Sequence, residues 1–270
     1  MLSEVFNIDR RLRINYKRLL VYPFVKKDLI NTIDCYLSDF AIYHNLTTED
    51  ILNSYNDFVK RYSEDIKNFI SKGKYPKELG SVNNIDRIDY DISLILSTVV
   101  TVHRHRIIVN IKKHCSKVNG KTLIIGVGSG LELEILRYYG KIEISDVYDI
   151  NVSTFIMDRF KDIRVNDHKF SGKREYYDNI IAIELLEHLI DPYNFMSICH
   201  DSLKNKGKFF ITTATNIPQF DHLYNFKNDV KFENEIYNLG FYILDKENIQ
   251  HDSFIEKLKA KNTWYILEKM

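Results

Sequence analysis

Three of the chain's ten glycines, Gly126, Gly128 and Gly130, fall within five residues in the run IIGVGSGLELEIL. Glycine that scarce, clustered between an apolar run and a helical pattern, marks backbone that turns tightly and lets a ligand approach closely. The spacing is G-x-G-x-G and departs from the G-x-G-x-x-G of a dinucleotide-binding fingerprint. Glu132 and Glu134 follow at once, in the first turn of the predicted helix. A pyrophosphate there would face two carboxylates, whereas a ligand carrying positive charge would not be repelled. Asp149 comes nineteen residues after Gly130, at the end of the run VYDI. In a parallel sheet a carboxylate at that strand end lies beside the loop and can accept hydrogen bonds from both hydroxyls of a ribose. It can equally cap the following helix, a duty open to Asn151 as well.

A second group is His103-Arg104-His105-Arg106, the densest basic cluster of the chain. At helical spacing these side chains point in several directions and form no flat patch. Arg104 or Arg106 could recognise a carboxylate or phosphate on a substrate, and the alternative is the end of a helix at a domain junction. Cys35, Cys115 and Cys199 are widely spaced, with no C-x-x-C pair, which argues against a disulfide framework and a thiolate zinc site. Reduced, buried thiols are expected.

These residues need elements to position them. Up to about residue 118 the pattern is helical, as in Leu52, Tyr55, Phe58, Val59 and Tyr62, recurring at three and four apart. Residues 71–86 gather glycine, proline and asparagine and read as a loop. Residues 92–113 are predicted to form one buried helix, since the unbroken run far exceeds a normal strand length. From Lys121 the texture changes: TLIIGV, VYDI, NIIAI, KFFITT, FYILD and TWYILEK alternate with helical stretches around 154–163, 193–203 and 228–239. That alternation predicts right-handed crossovers and a mainly parallel sheet with helices on both faces.

The 270 residues, 44% hydrophobic and 28% charged, exclude disorder as a global description. Thirty-eight basic against thirty-seven acidic side chains leave +1, so no whole-molecule field gathers nucleic acid. Charges break the apolar runs at the start of the chain, and no run reaches the ~18 residues of a membrane span. A cytoplasmic, soluble protein is expected.

Taken together, IIGVGSG, YDIN, YYDNIIAIELLEHLIDP and LKNKGKFFITTATN, in that order across residues 118–246, resemble the class I S-adenosylmethionine-dependent methyltransferases. The resemblance implies an α/β fold, a Rossmann-like doubly wound, mainly parallel seven-stranded sheet over 118–270, with an N-terminal all-helical domain over 1–117. It implies S-adenosyl-L-methionine as cofactor and S-adenosyl-L-homocysteine as product. Gly126, Gly128 and Gly130 then form the cofactor loop, Asp149 with Ile150 meets the ribose, and Asp167 with His168 lies by the adenine. The exit of the fourth strand, Glu184, Leu185, Glu187 and His188, lines the methionine and the methyl-transfer region. Family members usually carry an acidic residue two positions before the first glycine, where this chain has Ile124. A group from the N-terminal helices is expected to substitute in holding the cofactor's amino group.

Methyl transfer needs near-linear attack and gains most from positioning and desolvation. A hydroxyl or ammonium acceptor also calls for a general base, for which Glu187, His188, His222 and Tyr224 are the candidates. The expected acceptor is an O or N atom of a small metabolite, selected by the N-terminal helices, with Arg104 and Arg106 contacting it. Two alternatives compete. The run Glu184-x-x-Glu187-His188 is similar to the metal-binding run of small-RNA 3'-end 2'-O-methyltransferases, with His200 or another histidine as a further ligand. A cofactor-binding protein that moves another group, or none, is the other. Because that run is ordinary in metal-free relatives, no metal is expected. Neither membrane nor nucleic acid is an expected partner, and a homodimer is left open.

Overall fold

In the computed structural model, which describes residues 1–73, 75, 86–140, 142–251 and 258–270, the run that ends in the glycine loop is the central strand β1 (Thr122–Ile125), buried along its whole length. It lies in one sheet with β2 (Ile144–Tyr148), β3 (Arg164–Asn166), β4 (Tyr177–Ala182), β5 (Leu203–Thr215), β6 (Phe241–Gln250) and β7 (Lys261–Lys269), in the order β3-β2-β1-β4-β5-β7-β6. Strands β1 to β5 are mutually parallel, and β7 runs antiparallel to β5 and β6. The expected Rossmann-like sheet is therefore present. Its strand order turns back between β1 and β4, the crevice in which open α/β sheets bind ligands. The ends of β1, β2 and β4 place Gly126, Asp149 and Glu184 around that crevice.

The apolar character of β1 reflects helices on both faces, while β6 alternates between buried and exposed residues, as a solvent-facing strand does. Strand β3 is a three-residue edge, fastened by Asn166 Nδ2 donating to Val147 O at 3.0 Å. It is too short for any periodicity to reveal.

Among the described residues six α-helices precede the sheet: α1 (Leu2–Ile8), α2 (Arg10–Leu19), α3 (Lys27–Tyr43), α4 (Thr48–Lys72), α5 (Arg87–Val100) and α6 (Val102–His114). Helix α4 opens on a capping box between Thr47 and Asp50 and closes at Gly73, whose φ of 64° suits glycine. The single helix expected over 92–113 is two helices, bent by 88° at Thr101, which is extended. The cause lies in the residue types. Ser97, Thr98 and Thr101 turn their hydroxyls back onto the carbonyls of Leu94, Ile95 and Ser97, and β-branched Val99, Val100 and Val102 crowd the turn. His105 Nδ1 then donates to Thr98 O at 2.8 Å, satisfying one of the carbonyls that α5 leaves open. Among the described residues no single helix is long and apolar enough to cross a membrane. The loop expected over 71–86 falls largely outside the described residues.

Between the strands lie α7 (Leu131–Ile135), extended by a π turn to Gly140, then α8 (Thr154–Arg159), α9 (Pro192–Ser202) and α10 (Asp229–Asn238). Helix α9 begins with Asp191 accepting from Asn194 N and with Pro192 in its first turn, a combination that starts helices well. Two cores flank the sheet. One packs α9 and α10 against Leu123, Ile180 and Phe209. The other runs without a break from Val5 and Phe40 through Ile95 and Ile108 to Val147, Phe210 and Trp264, so the N-terminal helices and the sheet share it. Cys115 and Cys199 are buried as expected, but Cys35 is exposed on α3.

Candidate active site

Gly126, Gly128 and Gly130 all adopt positive φ, at 73°, 50° and 79°, which L side chains rarely tolerate. Gly126 N donates to Tyr148 O at 2.9 Å, tying the loop to the end of β2. Asp149 then faces it: Oδ2 accepts from Val127 N at 2.8 Å and Gly128 N at 3.3 Å, and Oδ1 accepts from Asn151 N at 2.8 Å. The capping role is taken elsewhere, because Ser153 caps α8 through Ile156 N. The glycines also differ in purpose. Gly126 and Gly128 line the cavity described below, whereas a Cβ on Gly130 would stand 2.5 Å from the Tyr36 hydroxyl and 2.9 Å from Ile156. Gly130 is thus required by packing.

Residues outside the sheet hold this loop as well. Tyr36 on α3 donates its hydroxyl to Ser129 O at 2.7 Å, and Arg87 at the start of α5 donates to Gly128 O. Arg87 Nε pairs with Asp91 at 3.1 Å, and burial pushes the Asp91 carboxyl up to about 7 against the lowering effect of Arg87. Sequence reasoning missed Tyr36, Arg87 and Asp91, since their partners are distant in the chain.

A cavity of about 360 Å³ runs from Gly126, Gly128 and Asp149 past Arg104 to Glu187, His188 and His222. Ile150 lines it, as do Glu132 and Glu184. Arg104 lies between those two carboxylates, at 3.4 Å from Glu132 and 3.3 Å from Glu184, and its Nε has no hydrogen-bond partner. Burial disfavours the Arg104 charge, but Glu184 and Glu132 outweigh it and raise its pKa, while burial raises that of Glu132. Glu184 is fixed by Thr212 Oγ1 and Asn262 Nδ2, both donating to Oε1 at 2.8 Å. Ile124 belongs to the core, so the carboxylates beside Arg104 on the cavity wall come from Glu132 and Glu184.

At the far end the exit of β4 meets the segment after β5, because Leu223 N and Tyr224 N both donate to Glu187 O. This sets His222 edge-to-face against His188, with ring centroids 4.9 Å apart. Each ring donates Nδ1–H to a backbone carbonyl, His188 to Asp221 O at 2.9 Å and His222 to Ile217 O at 2.8 Å, which leaves both Nε2 lone pairs available. The Glu187 carboxylate is fully buried and neither oxygen has a hydrogen-bond partner. Burial, then neighbouring Glu184, raises its pKa. For His188, burial opposes the charged form, but Asp221 and Glu187 prevail and raise the pKa. Burial and His188 push His222 down to about 4. Asp221 is held in turn by the Tyr90 hydroxyl at 2.9 Å and Gln219 Nε2 at 2.7 Å.

Four other expected site residues lie outside the cavity lining. Asp167 and His168 follow β3 on the surface, 88% and 65% exposed at their side chains and 3.9 Å from each other. Tyr224 turns into the second core with its hydroxyl on Tyr193. Arg106 ties α6 to β6 through Glu247 at 2.6 Å and stacks over Phe24. Conversely, Tyr55, Phe58 and Tyr62, read from sequence as a helix face, line the cavity.

Residues 103–251, more than half of the chain, match the family model described as a methyltransferase domain. The fold is similar to that of phosphoethanolamine N-methyltransferase 2 from Haemonchus contortus, with TM-score 0.53, 13% identity, and coverage of 69% of this chain and 61% of that one. It is also similar to the cyclopropane synthase MmaA2 from Mycobacterium tuberculosis, with TM-score 0.50, 14% identity, and coverage of 62% and 84%. These likenesses concern the fold. With its matched domain, its strand order and its glycine loop at the switch point, the chain belongs to the class I S-adenosylmethionine-dependent methyltransferase family.

Proposed function

We propose that the protein transfers the methyl group of S-adenosylmethionine to an oxygen or nitrogen atom of a small-molecule acceptor. The observation that carries this reading is a single cavity joining two chemistries, the Asp149 loop end and the Glu187-His188-His222 end. The residues fit the cofactor. After its three backbone bonds Asp149 has one lone pair left, on Oδ1, for a ribose hydroxyl. The Arg104 guanidinium on the cavity wall suits the methionine carboxylate, and Glu132 suits the ammonium.

When bound, the cofactor supplies an electrophilic methyl on a sulfonium. The chain's own contribution is to orient the acceptor and to move a proton. His188 is the base this geometry favours: its Nε2 can take the acceptor's proton, and Asp221, with Oδ2 3.6 Å from Nδ1, stabilises the resulting charge. His222 stays neutral at pH 7 and braces the ring of His188. Mass spectrometry of the purified protein for co-bound cofactor, followed by acceptor screening for a gain of one methyl mass, tests the reading. Absence of cofactor binding at millimolar concentration would overturn it.

One observation favours a second, metal-assisted reading. Glu187, His188 and His222 bring one ligand atom each within 4.8 Å of one another, and both rings are anchored through Nδ1 on carbonyls, as metal-ligating histidines are. Two histidines and a carboxylate suit a zinc-like divalent ion. Glu184 is committed to Arg104, Thr212 and Asn262, and His200 packs on Phe241 away from the cluster, so that ligand set differs from the one the resemblance suggests. The carboxylate-rich cavity also weighs against an RNA acceptor. Transfer that survives chelation supports the first reading. Loss with chelator and recovery with a divalent ion supports the second.

A further inference from the structure

One wall of the cavity is built from outside the matched methyltransferase domain. Tyr55, Phe58, Val59 and Tyr62 come from one face of α4, and Tyr90 and Leu94 from α5. The same helices bury Ile51, Leu52, Ile95 and Leu96 in the core. Phe58, Val59, Tyr62 and Leu94 are only half-buried and border the cavity, so apolar surface is left for a ligand to cover. The rings are set apart. Phe58 lies 6.4 Å from Tyr90 at 64° and 6.4 Å from Phe220 at 84°, an edge-to-face frame near the outer limit for aromatic pairs.

The charges on the cavity select as well. Its two guanidinium groups are both paired, Arg87 with Asp91 and Arg104 with Glu132 and Glu184. The carboxylate of Asp221 stands where the acceptor's reacting group must approach His188. An anionic acceptor would meet like charge there, and Arg106, expected from sequence to receive it, is bound to Glu247 outside the cavity. The volume of about 360 Å³ must also hold the donor, which favours a compact acceptor over a polymer or a long chain.

We infer that the acceptor is a compact aromatic nucleophile without negative charge, seated against the aromatic faces of α4 and α5 with its hydroxyl or amine toward His188. This inference rests on the methyl-transfer reading. The test uses the full chain saturated with S-adenosylhomocysteine, titrated with 7-hydroxycoumarin, its 3-carboxylate and decanol as aromatic neutral, aromatic anionic and aliphatic probes. The neutral coumarin should bind at least about tenfold more tightly than its carboxylate, a difference of ~1.4 kcal/mol. Phe58→Leu, which keeps apolar volume, and Tyr62→Ala should each weaken the coumarin about fivefold or more and leave S-adenosylhomocysteine affinity within about twofold. Equal or tighter binding of the carboxylate, preference for decanol, or no binding of the coumarin overturns the acceptor assignment. Failure of S-adenosylhomocysteine to bind in calorimetry overturns the methyl-transfer reading instead, so the two failures are separable.

Discussion

The phenol of Tyr36 donates a 2.7 Å hydrogen bond to the carbonyl of Ser129, joining a helix outside the matched domain to the middle of the glycine loop. Tyr36 is fully buried, and burial, reinforced by Asp91, holds its hydroxyl protonated. Tyr36→Phe keeps the ring and removes only that bond. Cofactor affinity should fall about fivefold, the equivalent of ~1 kcal/mol for one hydrogen bond. Calorimetry with S-adenosylhomocysteine reads it, and an unchanged dissociation constant would show that the loop is held without the helix.

Asp149 holds the loop and, on the proposed reading, the ribose as well, so its removal should cost more. Asp149→Ala is expected to weaken S-adenosylhomocysteine by ~1 to 3 kcal/mol, because Val127 N, Gly128 N and Asn151 N also lose their acceptor. Asp149→Asn, which retains one acceptor oxygen, should fall between. Equal affinity of all three proteins in the same titration would remove Asp149 from the binding site.

Arg104 and Arg106 are two residues apart and should behave differently. Arg104→Gln leaves Glu132 and Glu184 facing each other in a buried site and should destabilise the protein by ~3 kcal/mol or more while weakening the cofactor. Arg106→Gln breaks a pair whose partners are each 27% exposed and should cost ~1 kcal/mol or less, with cofactor affinity unchanged. Urea unfolding and calorimetry on both variants separate the two roles.

His105 makes stability depend on pH. Its ring is fully buried, and burial pushes its pKa from 6.5 down to about 4 despite the bond to Thr98 O. The unfolded chain therefore binds this proton first as pH falls. The stability from the neutral ring is complete above pH 6.5 and is lost as pH drops toward 4, by ~3 kcal/mol. His105→Gln should flatten the curve of unfolding free energy over that window. Parallel curves for the two proteins would show that His105 does not titrate there.

Legibility in the sequence followed the range of the interactions. The glycine loop, Asp149 and the alternation after Lys121 are local patterns, and they place the parallel sheet and the crevice where the structure has them. The kink at Thr101 was hidden because hydroxyl back-bonding leaves no mark on hydrophobic periodicity. Asp167 and His168 were assigned through the resemblance alone, and the chain turns them to solvent after a strand of only three residues. His222 reaches Glu187 and His188 only because Leu223 and Tyr224 bond the Glu187 carbonyl, a contact between two strand exits that spacing does not encode. Tyr55, Phe58 and Tyr62 obey helical periodicity, yet periodicity cannot tell a face that meets the core from one that meets a cavity.

The unbroken core from Val5 to Trp264 makes the first helices and the sheet one cooperative unit. Free energy of ligation delivered at the loop is then shared by segments far from it in sequence. At a hundredfold excess over its dissociation constant the cofactor would add ~2.7 kcal/mol to that common stability. Protease cleavage within α1 or α2, neither of which supplies a residue to the cavity lining, would slow in step with cofactor occupancy. Digestion at the amino-terminal end would thereby become a gauge of how full the cofactor site is.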